Sequence, residues 1–209
     1  MTGRLLAAGG LGALLFNLVF PRAGDPWDPS SVLTMMAENP LRRQLAFVGA
    51  TVSVLVISGC LIELAVRTQR PVGRWGAGLV ALGATAFTIA TALGLSVTGL
   101  ARSWEGGGAM EGDFLTAATL NRADDYVWYV AIFVLWTGIG MVGLSLRGDL
   151  SRIASTVLAT AGFVTGVGVG LPLALGVESL GLLMAFGALA TITAAWALVV
   201  GLRLGRVAP

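Results

Sequence analysis

Long apolar stretches alternate with short polar ones along the whole chain. Six of them reach or approach the roughly 20 residues that a helix needs to cross a hydrocarbon core: about 4–20, 44–66, 75–100, 126–146, 153–174 and 179–202. The pattern predicts an all-α, polytopic membrane bundle of six transmembrane helices, one domain over residues 1–209. The first stretch is short and follows Arg4, as a signal peptide would. Its flank, PRAGDP, offers no small-residue cleavage site, so it is read as a retained helix.

Two connections are longer than a turn requires, 21–43 and 101–125. In the first, Val32, Leu33 and Met36 follow a candidate cap at Ser31. In the second, Phe114, Leu115 and Ala118 follow one at Asp113. Both are expected to be short interfacial helices, with Gly106, Gly107 and Gly108 giving the second freedom to move.

Composition sharpens the class. Only 11% of the 209 residues are charged and mean hydropathy is +0.86, against roughly 25% charge in soluble domains. Histidine and lysine are absent, which removes imidazole–metal sites, His-based triads and Schiff-base chemistry. The single cysteine, Cys60, lies in an apolar run, so neither a disulfide framework nor a CxxC motif exists. No cofactor or metal is expected, and acid–base work falls to Asp, Glu, Tyr or Arg. No basic run suggests nucleic acid; membrane lipid and a lipophilic small molecule are the expected partners.

Charge is unevenly divided between the connections. One side holds eight arginines (Arg4, Arg67, Arg70, Arg74, Arg147, Arg152, Arg203 and Arg206) with Asp149 as its only loop acid. The other holds five arginines, Arg42 and Arg43 among them, and nine acids. Basic loops stay cytoplasmic, so both termini are expected inside. The lysine-free, Arg- and Ala-rich composition suggests a high-GC bacterium and its cytoplasmic membrane.

Small residues recur within the spans. Gly162, Gly166 and Gly170 repeat every four residues, which places bare backbone on one helix face and favours close packing. The neighbour is expected within the bundle, with a second copy as the alternative. Asn17, an amide near the end of the first span, suits a hydrogen bond between helices or the orientation of a ligand. Glu63 and Arg67, four apart, suit a neutralising pair at a helix end.

The richest chemistry lies on the acidic side, at RADDYVWY (122–129). One of Asp124 and Asp125 is expected to cap the fourth span, with Tyr126, Trp128 and Tyr129 in the interfacial belt. The second aspartate then needs another role. Trp27 between Asp25 and Asp28, and Trp104 beside Glu105, repeat the pairing of acid and aromatic on neighbouring connections. Glu178, in the short connection after Pro172 and Gly176, is expected to be partly buried. Asp124, Asp125 and Glu178, then Asp28 and Glu38, are the candidate catalytic acids and bases. Asn17, Trp27, Trp104, Tyr126, Trp128 and Tyr129 are the candidate lining.

An acid in an apolar, aromatic-lined pocket protonates an alkene, epoxide or carbonyl; aromatic faces stabilise the positive charge, and a second carboxylate removes a proton. The expected function is therefore isomerisation or cyclisation of a terpenoid- or polyketide-like substrate without a cofactor. The rival is a non-enzymatic membrane protein: a small transporter, a resistance or immunity factor, or an accessory subunit.

The order of pieces also resembles a family of small six-span bacterial membrane proteins grouped under a domain of unknown function. A lone first span is followed by NPLRRQLAFVGA (39–50) leading into the second, a basic turn RTQRPVGRW (67–75), and a long connection before the fourth. The resemblance implies a helical bundle and no particular activity. Where that family favours an aspartate early in span two and a histidine in span four, this chain has Ala50 and Trp136.

Overall fold

The computed structural model describes residues 1–19, 26–38, 40–105 and 111–207, with the side chains of 19, 29, 102–105, 111–113 and 207 excluded. The described residues are helical and contain no strand. In chain order the helices are α1 (Thr2–Val19), α2 (Pro29–Glu38), α3 (Pro40–Arg67), α4 (Pro71–Glu105) and α5 (Glu111–Ser145). They are followed by α6 (Arg152–Phe163), a π-helical segment (Val164–Gly170), α7 (Leu171–Ala174) and α8 (Leu180–Val207).

Among the described residues, five helical stretches are long and apolar enough to cross a membrane: Pro40–Arg67, Pro71–Ala101, Phe114–Ser145, Arg152–Ala174 and Leu180–Arg206. The protein is thus a multi-pass α-helical membrane protein. The expected first span is a shorter apolar helix, Thr2–Leu18, packed between α8 and α3. Its seat on α8 depends on bare backbone. An added Cβ at Gly10 would meet the Ala194 carbonyl oxygen at 2.7 Å, and one at Gly3 would meet the Gly201 carbonyl oxygen at 2.8 Å. Asn17 Nδ2 donates to Thr191 Oγ1 at 2.8 Å across the same contact, which supports its role between helices.

The main core lies where α5 crosses α3, α4, α6 and α8, with Leu61, Val80, Ile132, Leu135, Val142 and Leu158 fully buried. Gly162, Gly166 and Gly170 face α5 of the same chain. Cβ atoms there would stand 2.6 Å from Gly140 Cα, 2.5 Å from Thr137 Oγ1 and 2.6 Å from Phe133 N. The glycine face therefore seats α6 and the π segment on α5. Each added side chain would strike backbone or a fixed hydroxyl.

The second expected lid is not a separate helix. Phe114, Leu115 and Ala118 belong to α5, which runs unbroken from Glu111 through Asp124. Its physical basis is a continuous helical period on the buried face, Phe114, Ala117, Asn121 and Asp124. The first lid does form, as α2, but it starts at Pro29 rather than after Ser31. It docks on α4 and α5 through its own apolar cluster, in which Leu33, Met36, Val97 and Ala117 are buried.

Candidate functional site

At about 1.5 Å per residue, the 35-residue helices α4 and α5 are about 50 Å long, well beyond a hydrocarbon core of about 30 Å. Their antiparallel pair projects past the other helices at the end where α2 packs. Asp124 stands 21 residues before Ser145, the last residue of α5, or about 32 Å along its axis. Gly94 on α4 and Arg43 on α3 fall at similar heights above the opposite, arginine-rich end. Measured from that end, the site falls about one hydrocarbon thickness away, near α2.

Neither aspartate of RADDYVWY caps a helix, because α5 has already run three turns when it reaches them. This overturns the capping role expected for one of them. Consecutive helical residues diverge by about 100°, so the two carboxyls serve different neighbours. Asp124, 8% exposed, turns into the α3–α4 contact. A Cβ added at Gly94 would stand 3.1 Å from Asp124 Oδ2 and 3.1 Å from Phe47 Cζ, so the missing side chain of Gly94 makes the room the carboxyl occupies. Asp124 accepts no hydrogen bond among the described residues. Asp125 is half-buried and receives Asn121 Nδ2 at 3.4 Å.

Arg43 is the residue that sequence reasoning placed wrongly, as a loop charge. It lies in the first turn of α3, is 6% exposed, and faces both aspartates electrostatically. Its guanidinium stacks 5.0 Å over the Phe47 ring, Nη1 reaches Met35 Sδ of α2 at 3.4 Å, and Nε has no hydrogen-bond partner among the described residues. The available signal was the four-residue spacing of Arg43, Phe47 and Thr51, which puts all three on one face. Thr51 continues that face inward and shares a buried 2.6 Å hydrogen bond with Thr91.

Glu178 does not sit as expected. It is exposed rather than partly buried, and it pairs with Arg122. The connection after α7 turns outward at Gly176, whose φ is +86°, and carries Glu178 to the surface. Arg122 also lies 5.7 Å over the Tyr126 ring, which is itself exposed. Tyr129 is buried, packs edge-on to Tyr126 with centroids 6.4 Å apart, and has the Trp27 side chain against its hydroxyl. Trp128 leans away toward α8 and meets Phe186 edge-on with centroids 5.0 Å apart, and Phe186 in turn meets Trp136 edge-on at 5.2 Å.

Four other candidates stand apart. Asp28 is the N-cap of α2: it accepts from Ser31 N at 2.9 Å and Ser30 Oγ at 2.7 Å, with Pro29 in the first helical position. Those bonds, the Ser30 side chain first, hold its carboxyl below the usual aspartate value of 3.8. Glu38 is exposed at the end of α2 and makes no ion pair among the described residues. Trp104 lies in the last turn of α4, but its side chain is outside the described residues. Asn17 bonds Thr191 and does not join the site.

What the fold brings together is thus Asp124, Asp125, Arg43, Tyr129 and Trp27, with Arg122 and Glu178 at the rim. Among the described residues, the carboxyls of Asp124, Asp125 and Glu178 face the guanidiniums of Arg43 and Arg122. No group of three or more Cys, Asp or Glu among the described residues is placed to hold a metal ion. No family model matches this chain, and neither a curated protein nor a solved structure matches it significantly.

Proposed function

We propose that this protein is a cofactor-independent membrane enzyme of the isomerase or cyclase type, with Asp124 as the group that gives and takes the proton. The observation that carries the reading is a carboxyl 8% exposed, without a hydrogen bond among the described residues, at the edge of the hydrocarbon region. A carboxyl not tied up by donors can exchange its proton with a substrate. Arg43 offsets negative charge when the proton leaves, and Asp125 supplies a second base one residue away. Trp27, Tyr129 and Phe47 offer aromatic faces to a developing cation. A lipophilic substrate would arrive laterally from the bilayer, beneath α2.

The test compares lipid extracts of cells carrying the wild-type chain or Asp124→Asn by mass spectrometry. A lipophilic product that depends on the wild type and disappears with Asp124→Asn, while Glu38→Gln retains it, supports the assignment. An identical product in Asp124→Asn refutes it.

A second, non-enzymatic reading is favoured by the buried Thr51–Thr91 pair, which continues polar contacts inward from Arg43 and Gly94. Here the Asp124 carboxyl carries a proton or a lipophilic cation as part of a small transporter or resistance factor. Asp124-dependent movement of a labelled lipophilic cation across vesicles, with no chemical change in it, would select this reading.

A further inference from the structure

The opposite end of the bundle holds a separate constellation built on the turn between α5 and α6. That turn folds back on itself, with Gly148 at φ +107° and a bridge between Arg147 and Leu150. Arg70, from the α3–α4 turn, fastens it. Its Nη1 donates to the Ser145 carbonyl oxygen at 2.7 Å and to that of Arg147, and its Nη2 lies 4.0 Å from Asp149. One guanidinium thus satisfies carbonyls left open at the end of α5 and draws the turn's single acid toward itself.

Arg147 and Arg152 are left without an ion pair among the described residues. Together with Gly148, Leu150 and Thr156 they line a half-open cleft of about 590 Å³. The cleft opens beside the first turn of α6, whose N-cap Ser151 accepts from Ala154 N at 3.2 Å. Two uncommitted guanidiniums, a hydroxyl and the positive end of a helix select an anion with several oxygens, and a phosphate fits that description.

The surface next to the cleft is apolar. Ile153 is 78% exposed, and Val157 on α6 and Val164 at the start of the π segment follow it toward the bundle's middle, also exposed. A ligand that used both surfaces would carry a phosphate at one end and hydrocarbon at the other. We propose that this cleft binds the phosphodiester headgroup of an anionic glycerophospholipid, with an acyl chain lying along Ile153, Val157 and Val164. Arg147 and Arg152 take the phosphate oxygens, Thr156 donates its hydroxyl, and the excess positive charge favours an anionic over a zwitterionic headgroup.

Lipid retention by the detergent-purified full chain, measured by native mass spectrometry, tests the proposal. The wild type is expected to retain phosphatidylglycerol in preference to phosphatidylcholine. Arg147→Gln/Arg152→Gln should weaken that binding about 30-fold, equivalent to about 2 kcal/mol, with helicity by circular dichroism unchanged. Arg203→Gln/Arg206→Gln, which removes equal charge from the same end, should leave it unaltered. Equal retention of the two lipids, or equal loss in both double variants, would overturn the assignment. Full displacement of the lipid by inorganic phosphate would overturn it too, by showing a phosphate site without use of the apolar track.

Discussion

Replacing Gly162 by alanine tests the packing that carries α6 and the π segment. The new Cβ would lie 2.6 Å from Gly140 Cα and 2.8 Å from the Trp136 carbonyl oxygen, both backbone atoms of α5. Ordinary contact is nearer 3.5 Å, so the helices must part by on the order of 1 Å along that face. Neither wall is a side chain that can swing aside, which is the condition under which overpacking costs about 1–3 kcal/mol. Helix propensity works in the other direction, by up to about 1 kcal/mol for glycine to alanine. The net expectation is a loss of about 1–2 kcal/mol. Gly78→Ala on α4 is the matched control, because nothing lies within 4 Å of its added Cβ and only the propensity gain remains. Reversible unfolding in mixed micelles, followed by tryptophan fluorescence, should therefore move in opposite directions for the two variants. If both were neutral or both stabilising, the α5–α6 interface described above would be wrong.

Three other outcomes follow from named contacts. Asp124→Leu leaves buried Arg43 with only one of its two facing carboxyls, Asp125, and should cost about 1–3 kcal/mol. Arg43→Leu/Asp124→Leu should recover much of that in the same unfolding assay, and strictly additive losses would mean the two groups are not coupled. Asp28→Ala removes the α2 cap and should raise proteolytic cleavage in 26–38. Since hydrogen bonds hold the Asp28 carboxyl below 3.8, its contribution is present above that pH and lost as pH falls through the lower folded value. Protection of α2 should therefore be flat from neutral pH down to about 4; a loss beginning near pH 6 would implicate another group. Asn17→Leu breaks the bond to Thr191 and should cost about 1 kcal/mol or less, and Thr191→Val should add nothing to it.

The helical membrane class was legible because it rests on sums over long windows, where one misplaced charge changes little. Pairings set by local spacing were equally legible: Glu63 with Arg67 four residues on, and the glycine repeat on a tight helix contact. The failures share a cause. Residues 111–125 are polar enough to pass for a loop, yet Phe114, Ala117, Asn121 and Asp124 fall on one face of a helix that α4 and α2 support from outside. Mistaking that continuity made one of Asp124 and Asp125 a helix cap. Asp28, which resembled chemistry beside Trp27, proves to be a cap in its place. Arg43 was illegible as a buried charge because the carboxyls that face it come from some 80 positions further along the chain.

Labelling with a hydrophobic carbodiimide tests the central claim most directly. The reagent partitions into the bilayer and adds covalently to carboxyl groups that carry a proton. Proteolysis and mass spectrometry then locate the adduct. If Asp124 is the exchangeable proton carrier at the edge of the hydrocarbon, the label falls on the peptide containing it and is lost in Asp124→Asn. Labelling confined to the exposed acids Glu38 and Glu178, with Asp124 unmodified in the folded protein, would contradict the account.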